Sequence, residues 1–344
     1  MFSAVITTIQ EPTHSVKLLA ERLVQEDAAL IVAGDSKGPP HYQTPREGLS
    51  WPVSFLSLEQ QQTGLFGLGK ALPIRHYSRK NIAYLQAIAE RADCIYETDD
   101  DNAPNAAWHV RQESLPDCQV VHETPEIRWI NVYRYFSEEN IWPRGLPLDK
   151  IKALAPPLVP SVQTMRSPIQ QGLVNGSPDV DAIWRLVMDR PFEFEDAPSV
   201  YLEPGNWCPF NTQSTWWWPV AYPLLYIPSY CSFRMCDIWK SFIAQRCLWA
   251  MEMGVTFHAA EVVQDRNLHD LQRDFQDEIP GYTQNSRISE ILMEVPLNPT
   301  PEAVGENLRA CYFALIENDI FPSKEMNLVD LWLEDLTKAK SQIS

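Results

Sequence analysis

The sequence predicts an α/β fold built on a parallel sheet, and three observations carry that prediction. The β-rich runs "SAVITT", "AALIVAG" and "DCIYETDDD" alternate with segments of helical period, "SVKLLAERLVQ" and "SRKNIAYLQAIAERA". The second and third runs end in turn residues and acids, "GDSKGPP" and "TDDDNAP", at the strand ends where open α/β sheets bind ligands. The 344 residues are 45% hydrophobic and 21% charged, which is material for a sizeable core.

Taken in order, the first strand and helix lead into a second strand that stops at a Gly/Pro loop. "PVSFLSLEQQQTG" follows, then the helix of "SRKNIAYLQAIAERA", for which Ser78 is a candidate N-cap. From "CQVVHETPEIRWINVYRYF" to about Pro160, proline and aromatic content indicates extended segments and loops. The apolar run "STWWWPVAYPLLYIPSY" holds three prolines and cannot form one long helix. "SFRMCDIWKSFIAQRCLWAMEMG" reads as a long helix closed by Gly254, "VTFHAAEVVQ" as a strand, and "RNLHDLQRDFQDEI" as a helix. "PEAVGENLRACYFALIEND" and "LVDLWLEDLTKAK" have the spacing of two closing helices.

The net charge is -17, from 28 basic and 45 acidic residues. Nonspecific binding to nucleic acid or to an anionic membrane needs a basic footprint, so both are excluded. An anionic substrate then requires a local basic pocket or a bridging metal ion. The first residues, "MFSAVITTIQEPTHSV", lack the basic and apolar regions of a signal peptide. No window approaches the ~20 apolar residues of a membrane span. A cytoplasmic protein with no membrane span and seven reduced, scattered cysteines is the expectation. Walker, GxGxxG, GxSxG and HExxH motifs are all missing.

Several residue groups are candidates for chemistry. Asp99 and Asp101, two apart at a strand end, can share one face and suit Mg2+ or Mn2+ with phosphate oxygens; the alternative is an acidic loop tip. Arg75, His76, Arg79 and Lys80 crowd the start of a helix, a place that favours phosphate, and Lys37 can join them. Asp35 is placed to bond a ribose or base. Asp179 and Asp181, in "GLVNGSPDVDAIWRL", either cap the following helix or contact a sugar. Trp216 and Trp217, beside Asn211, Gln213 and Ser214, read equally as core or as a carbohydrate platform. Asp237 is either a plain carboxylate in a helical first turn or a general base. His269 is a metal ligand or a surface histidine, following Arg266 and Asn267.

"GDSKGP", "RKNIAYLQAI" running into "YETDDDN", "GLVNGSPDVDAIWRL", "FRMCDIWKSFIAQ" and "QDRNLHDLQRDF", in that order, resemble the STELLO family of glycosyltransferase-like proteins. The reversibly glycosylated polypeptides, which are UDP-arabinopyranose mutases, are more distantly similar. The resemblance runs from about Val5 to about Ile279. It implies a GT-A-like, Rossmann-type mixed sheet flanked by helices, with a nucleotide-sugar-binding domain over residues 1–285 and a helical extension over 286–344. It also implies that Asp99, Asp100 and Asp101 occupy a DxD position, where Mn2+ or Mg2+ bridges protein and diphosphate. Asp35, Arg79, Lys80 and Asn81 match the nucleotide-side motifs, and Asp237 matches a helix-start acid near the acceptor, with Asp181 as a second candidate catalytic carboxylate. The implied activity is glycosyl transfer from a nucleotide sugar, expected to be UDP-linked, to a carbohydrate or glycoconjugate acceptor; the alternatives are a nucleotide-sugar mutase and a non-catalytic binder that regulates glycosylation. A homodimer is a further expectation. Plant STELLO proteins carry an N-terminal Golgi anchor; none is expected from this sequence, so their partnership with cellulose synthase is not carried over.

Overall fold

The computed structural model describes residues 2–42, 51–123, 128–265 and 270–341. The first third is a βα alternation: β1 (Phe2–Thr8), α1 (His14–Gln25), β2 (Ala29–Gly34), β3 (Val53–Leu56), α2 (Leu58–Thr63), α3 (Leu68–Ala71), α4 (Lys80–Ala89) and β4 (Cys94–Thr98). Short strands follow, β5 (Asn102–Pro104), β6 (Ser114–Leu115), β7 (Gln119–Val121), β8 (Val159–Pro160) and β9 (Met165–Arg166). Then come β10 (Ile169–Asn175), α5 (Ala182–Met188), β11 (Val200–Leu202), β12 (Ser214–Trp217), α6 (Cys236–Trp249) and β13 (Val255–Gln264). Three helices close the chain: α7 (Leu271–Glu294), α8 (Val304–Glu317) and α9 (Lys324–Ser341).

Among the described residues, eleven strands form one mixed sheet in the order β3-β2-β1-β4-β12-β10-β13-β11-β7-β8, with β5 added on β13. The β3-β2-β1-β4 half is wholly parallel, and Val5 sits opposite Ile31 on one side and Glu97 on the other. Beyond β4 the direction changes, because β12 runs antiparallel to both β4 and β10. The α/β class with a mixed sheet flanked by helices is therefore the observed architecture. Strand order reverses around β1, and that reversal opens a crevice at the carboxyl ends of β1 and β4.

Strand alternation divides the core into two layers. Val5, Ile31, Ile95 and Trp217 face the large layer with α4, α6, α8 and α9. Ala4, Ile6, Leu30, Tyr96 and Trp216 face the smaller layer with α1, where Leu19 and Leu23 are buried. Thr13 caps α1 by accepting from the Val16 N–H, and Ser57 and Gln60 form a capping box on α2.

Three boundaries depart from the sequence reading. Ser78 is not an N-cap, because a 3-10 turn over Tyr77–Arg79 precedes α4 and is capped by His76. Helix α6 ends at Trp249 rather than at Gly254, and it begins after a 3-10 turn at Phe233–Met235. Helix α7 continues to Glu294, well beyond the Ile279 at which the sequence reading ended that helix. Among the described residues, no helix is long and apolar enough to cross a membrane.

Candidate active site

A cleft of about 440 Å³ lies over the carboxyl ends of the parallel strands. Thr7, Thr8 and Ile9 bring the end of β1 to it, Asp35 and Lys37 the end of β2, and Asp99, Asp100 and Asp101 the end of β4. The facing wall consists of Arg144, Asp179, Arg234 and Asp237, and Gln213 and Gln264 lie between the two.

Each aspartate of the run has a different anchor. Asp99 Oδ1 accepts from Tyr77 Oη at 2.6 Å and from the buried Lys80 Nζ at 3.1 Å. Asp100 accepts from the Thr8 hydroxyl through its side chain and from the Thr13 hydroxyl through its carbonyl. Asp101 Oδ2 accepts from Gln264 Nε2 at 3.0 Å, while Asp101 Oδ1 is buried with no partner among the described residues. Burial, followed by the charges of Asp99 and Asp100, pushes the Asp101 carboxyl up to about 7. Asp35 is fixed by the Ser36 and His76 backbone N–H groups at 2.6 and 3.0 Å. Burial lowers His76, despite the nearby Asp35 charge. Lys37 and Arg75 are exposed in the lining and pair with no carboxylate among the described residues.

The opposite wall is organised by one side chain that the sequence reading missed. Arg144 holds Asp179 through Nε and Nη2 at 2.7 and 2.8 Å, and Asp237 through Nη1 and Nη2 at 3.0 and 2.7 Å. Burial alone would raise Asp179; the Arg144 charge and hydrogen bonds outweigh it and hold Asp179 below the usual carboxylate range. The turn that presents Arg144 depends on Gly145, at φ +93°, where an added Cβ would lie 2.4 Å from Ile238 Cγ2. Arg234, paired with Glu278 at 2.9 Å, and the half-exposed Phe233, edge-on to His76 and Tyr77, complete this side. Phe233, Tyr77, Thr8 and Gln264 were also missed; nothing in their local spacing sets them apart.

Asp35, Lys37, Asp99, Asp100, Asp101, Asp179, Gln213 and Asp237 all meet in this cleft. Lys80 lies beneath it, also donating to the Thr98 carbonyl at 2.6 Å. Other candidates point elsewhere. Arg79 is fully buried and donates to Gln61 and to the Gly69 and Leu72 carbonyls, which makes it a brace between α2, α3 and α4. Asn81 clamps the Ile227 backbone through both ends of its amide. Asp181 caps α5, accepting from Trp184 N and from Trp142 Nε1, both at 2.8 Å. Asn211 is buried and orders the turn before β12, accepting from Gln213 N. Trp216 and Trp217 are fully buried, so the core reading holds and the platform reading does not. Their indole N–H groups donate to Glu261 and Glu97. His269, with Arg266 and Asn267, lies outside the described residues. Among the described residues, no group of three or more His, Cys, Asp or Glu is arranged to hold a metal ion.

The family model for STELLO glycosyltransferases matches residues 234–344. Two Arabidopsis thaliana proteins, probable glycosyltransferases STELLO2 and STELLO1, are each 27% identical over 351 and 353 residues. Both alignments cover 96% of this chain and 44% of the relative, so the chain spans less than half the length of these relatives. A solved mycobacterial protein overlays 94% of this chain and 76% of its own at 12% identity, with a TM-score of 0.38, too loose a likeness to bear on the fold. The resemblance carried by the motifs is borne out: along nearly its whole length the chain is similar to the STELLO proteins, and from Arg234 onward it matches the model of that family.

Proposed function

We propose that the chain is a metal-dependent glycosyltransferase of GT-A type that takes a sugar from a nucleotide-sugar donor, a UDP-sugar, and passes it to a hydroxyl of a carbohydrate or glycoconjugate acceptor. The observation that carries this reading is the run Asp99, Asp100 and Asp101 at the carboxyl end of β4, in one cleft with Lys37 and Arg75, cations that pair with no carboxylate among the described residues. A nucleoside diphosphate bound through a cation matches that distribution of charge.

The carboxylate run fits Mg2+ or Mn2+ on two counts. Its oxygens are hard donors, and the partnerless, buried Asp101 Oδ1 lacks a positive group that a cation would supply. Asp99 and Asp101 would hold the ion, which supplies Lewis-acid neutralisation of the departing diphosphate. The protein's own groups do the rest. Lys37 and Arg75 attract the phosphates at the mouth, taking the role expected of Arg79. Asp35, pinned by two backbone N–H groups, presents its carboxylate edge to a ribose or base. Phe233 offers the exposed apolar face that Trp216 and Trp217 do not. Arg144 fixes Asp179 and Asp237 at set positions beside the diphosphate wall, with Asp237 as the base toward the acceptor hydroxyl once substrate loosens Arg144.

A second reading, a non-catalytic binder of nucleotide sugar, is favoured by one observation: Arg144 occupies both oxygens of Asp237. Release of nucleoside diphosphate from a panel of nucleotide sugars, with candidate acceptors, separates the two. For the transferase, Asp237→Asn leaves donor affinity within about twofold and lowers turnover by roughly 10²–10⁴. Donor binding without turnover in wild type under every acceptor identifies the binder. A ring-isomerised nucleotide sugar formed without acceptor identifies a mutase.

A further inference from the structure

We propose that Gln213, with Asp179, Arg234 and Gln264, forms a subsite that recognises a hydroxyl edge of the transferred sugar; this rests on the nucleotide-sugar reading above. A small alcove of about 50 Å³ shares these four residues with the main cleft and is closed by Pro178, Val180 and Arg185. Gln213 is only 8% exposed, yet its Oε1 is buried with no partner, and its Nε2 donates to no group among the described residues. A buried amide oxygen without a partner is costly, and proteins rarely retain one without a use.

The backbone of Gln213 is held at both ends. Its N–H donates to Asn211 Oδ1 at 2.9 Å, and its carbonyl accepts from Thr98 Oγ1 at 2.6 Å. The side chain is therefore presented from a rigid frame directly beside the aspartate run. Gln264 ties the alcove to the same run through its bond to Asp101.

The chemistry of the lining narrows the ligand. Gln213 Oε1 needs a hydrogen-bond donor and Gln213 Nε2 an acceptor, while Asp179 and Arg234, already paired with Arg144 and Glu278, present a further acceptor and donor beside them. A hydroxyl satisfies both requirements. A carboxylate lacks the proton that Gln213 Oε1 requires. The transferred sugar presents unsubstituted hydroxyls on this edge.

The test is calorimetric binding of UDP, UDP-glucose, UDP-galactose, GDP and GDP-mannose, with manganese present, to wild type, Gln213→Leu and Gln213→Asn. Wild type is expected to bind one nucleotide sugar more tightly than its nucleoside diphosphate. Gln213→Leu reduces that preference by about tenfold or more and changes nucleoside diphosphate binding by less than about twofold. Its thermal midpoint is equal to or above that of wild type, because a buried amide oxygen without a partner is removed. Gln213→Asn, with the amide withdrawn by one methylene, loses most of the preference and keeps the fold. An intact sugar preference in Gln213→Leu overturns the subsite, as does a lower midpoint with equal loss of sugar and diphosphate binding. Wild type that binds diphosphate with no sugar preference overturns the subsite and spares the nucleotide site. Wild type that binds none of the five overturns both.

Discussion

Arg144 and Asp181 show how neighbours decide what a carboxylate does. Arg144 keeps Asp179 charged in a buried wall, and removing it would leave two buried anions unpaired. Asp181, two residues on, pairs with no cation among the described residues. Burial, the largest effect, raises its carboxyl to about 6, and its hydrogen bonds to Trp142 and the α5 backbone only moderate the rise. With the folded pKa above the unfolded one, the stabilising effect is complete below the unfolded value near 3.8 and is lost as pH rises through about 6. Asp181→Asn keeps a competent cap and removes this titration. In urea titrations at pH 4 and pH 6.5, the stability difference between wild type and variant should move by on the order of 2–3 kcal/mol in favour of the variant at the higher pH. A difference independent of pH would contradict the account. The acidic residues were visible in the sequence because their clustering is unusual, and the choice of capping for one of Asp179 and Asp181 follows from the helix start. Arg144 was not legible. "IWPRGLP" carries no periodic or motif signal, and only the demand of two distant, buried carboxylates for a cation would have called for it.

At the scale of elements, β12 shows why tryptophan clusters mislead. Successive positions face opposite sides of the sheet, so Trp216 and Trp217 enter different core layers, and each meets a buried glutamate. Glu97, on β4, also accepts from Tyr84 and pairs with Lys240 of α6 at 3.1 Å. Lys240 Nζ stands 4.5 Å from the centre of the Trp217 ring. This pair ties α6, and with it Asp237, to the strand that ends in the aspartate run. Lys240→Met leaves Glu97 charged and buried, and should cost about 3–5 kcal/mol in chemical denaturation; Glu97→Gln in the same chain should restore much of it. A single variant within about 1 kcal/mol of wild type would contradict this role. Strands and long helices were legible because their periods are strong, and β13 coincides with the ten residues of "VTFHAAEVVQ". The 3-10 turns before α4 and α6 were not, and they turn Arg79 inward and set Asp237 in the first turn of α6. Helix period alone does not register a tightened first turn.

At the scale of the whole molecule, the C-terminal helices are joined to the cleft rather than appended to it. From α9, Glu325 accepts from the Ser229 and Tyr230 N–H groups, Asp335 accepts from Leu68 N, and Trp332 donates to the Pro223 carbonyl. The segment they hold leads through Ser232 and Phe233 into α6, so the wall with Arg234 and Asp237 rests on these helices. The family model spans the same stretch, from Arg234 to the end of the chain. The cleft thus joins a parallel half bearing the aspartate run to a C-terminal half bearing Asp237, and the central claim is that a cation and a nucleotide diphosphate bind between them. Calorimetry of UDP binding to wild type and Asp101→Asn, with and without manganese, tests that claim most directly. The account predicts binding that requires manganese in wild type and falls by at least about tenfold in Asp101→Asn. Equal binding with and without the metal, or an unaffected Asp101→Asn, would contradict it.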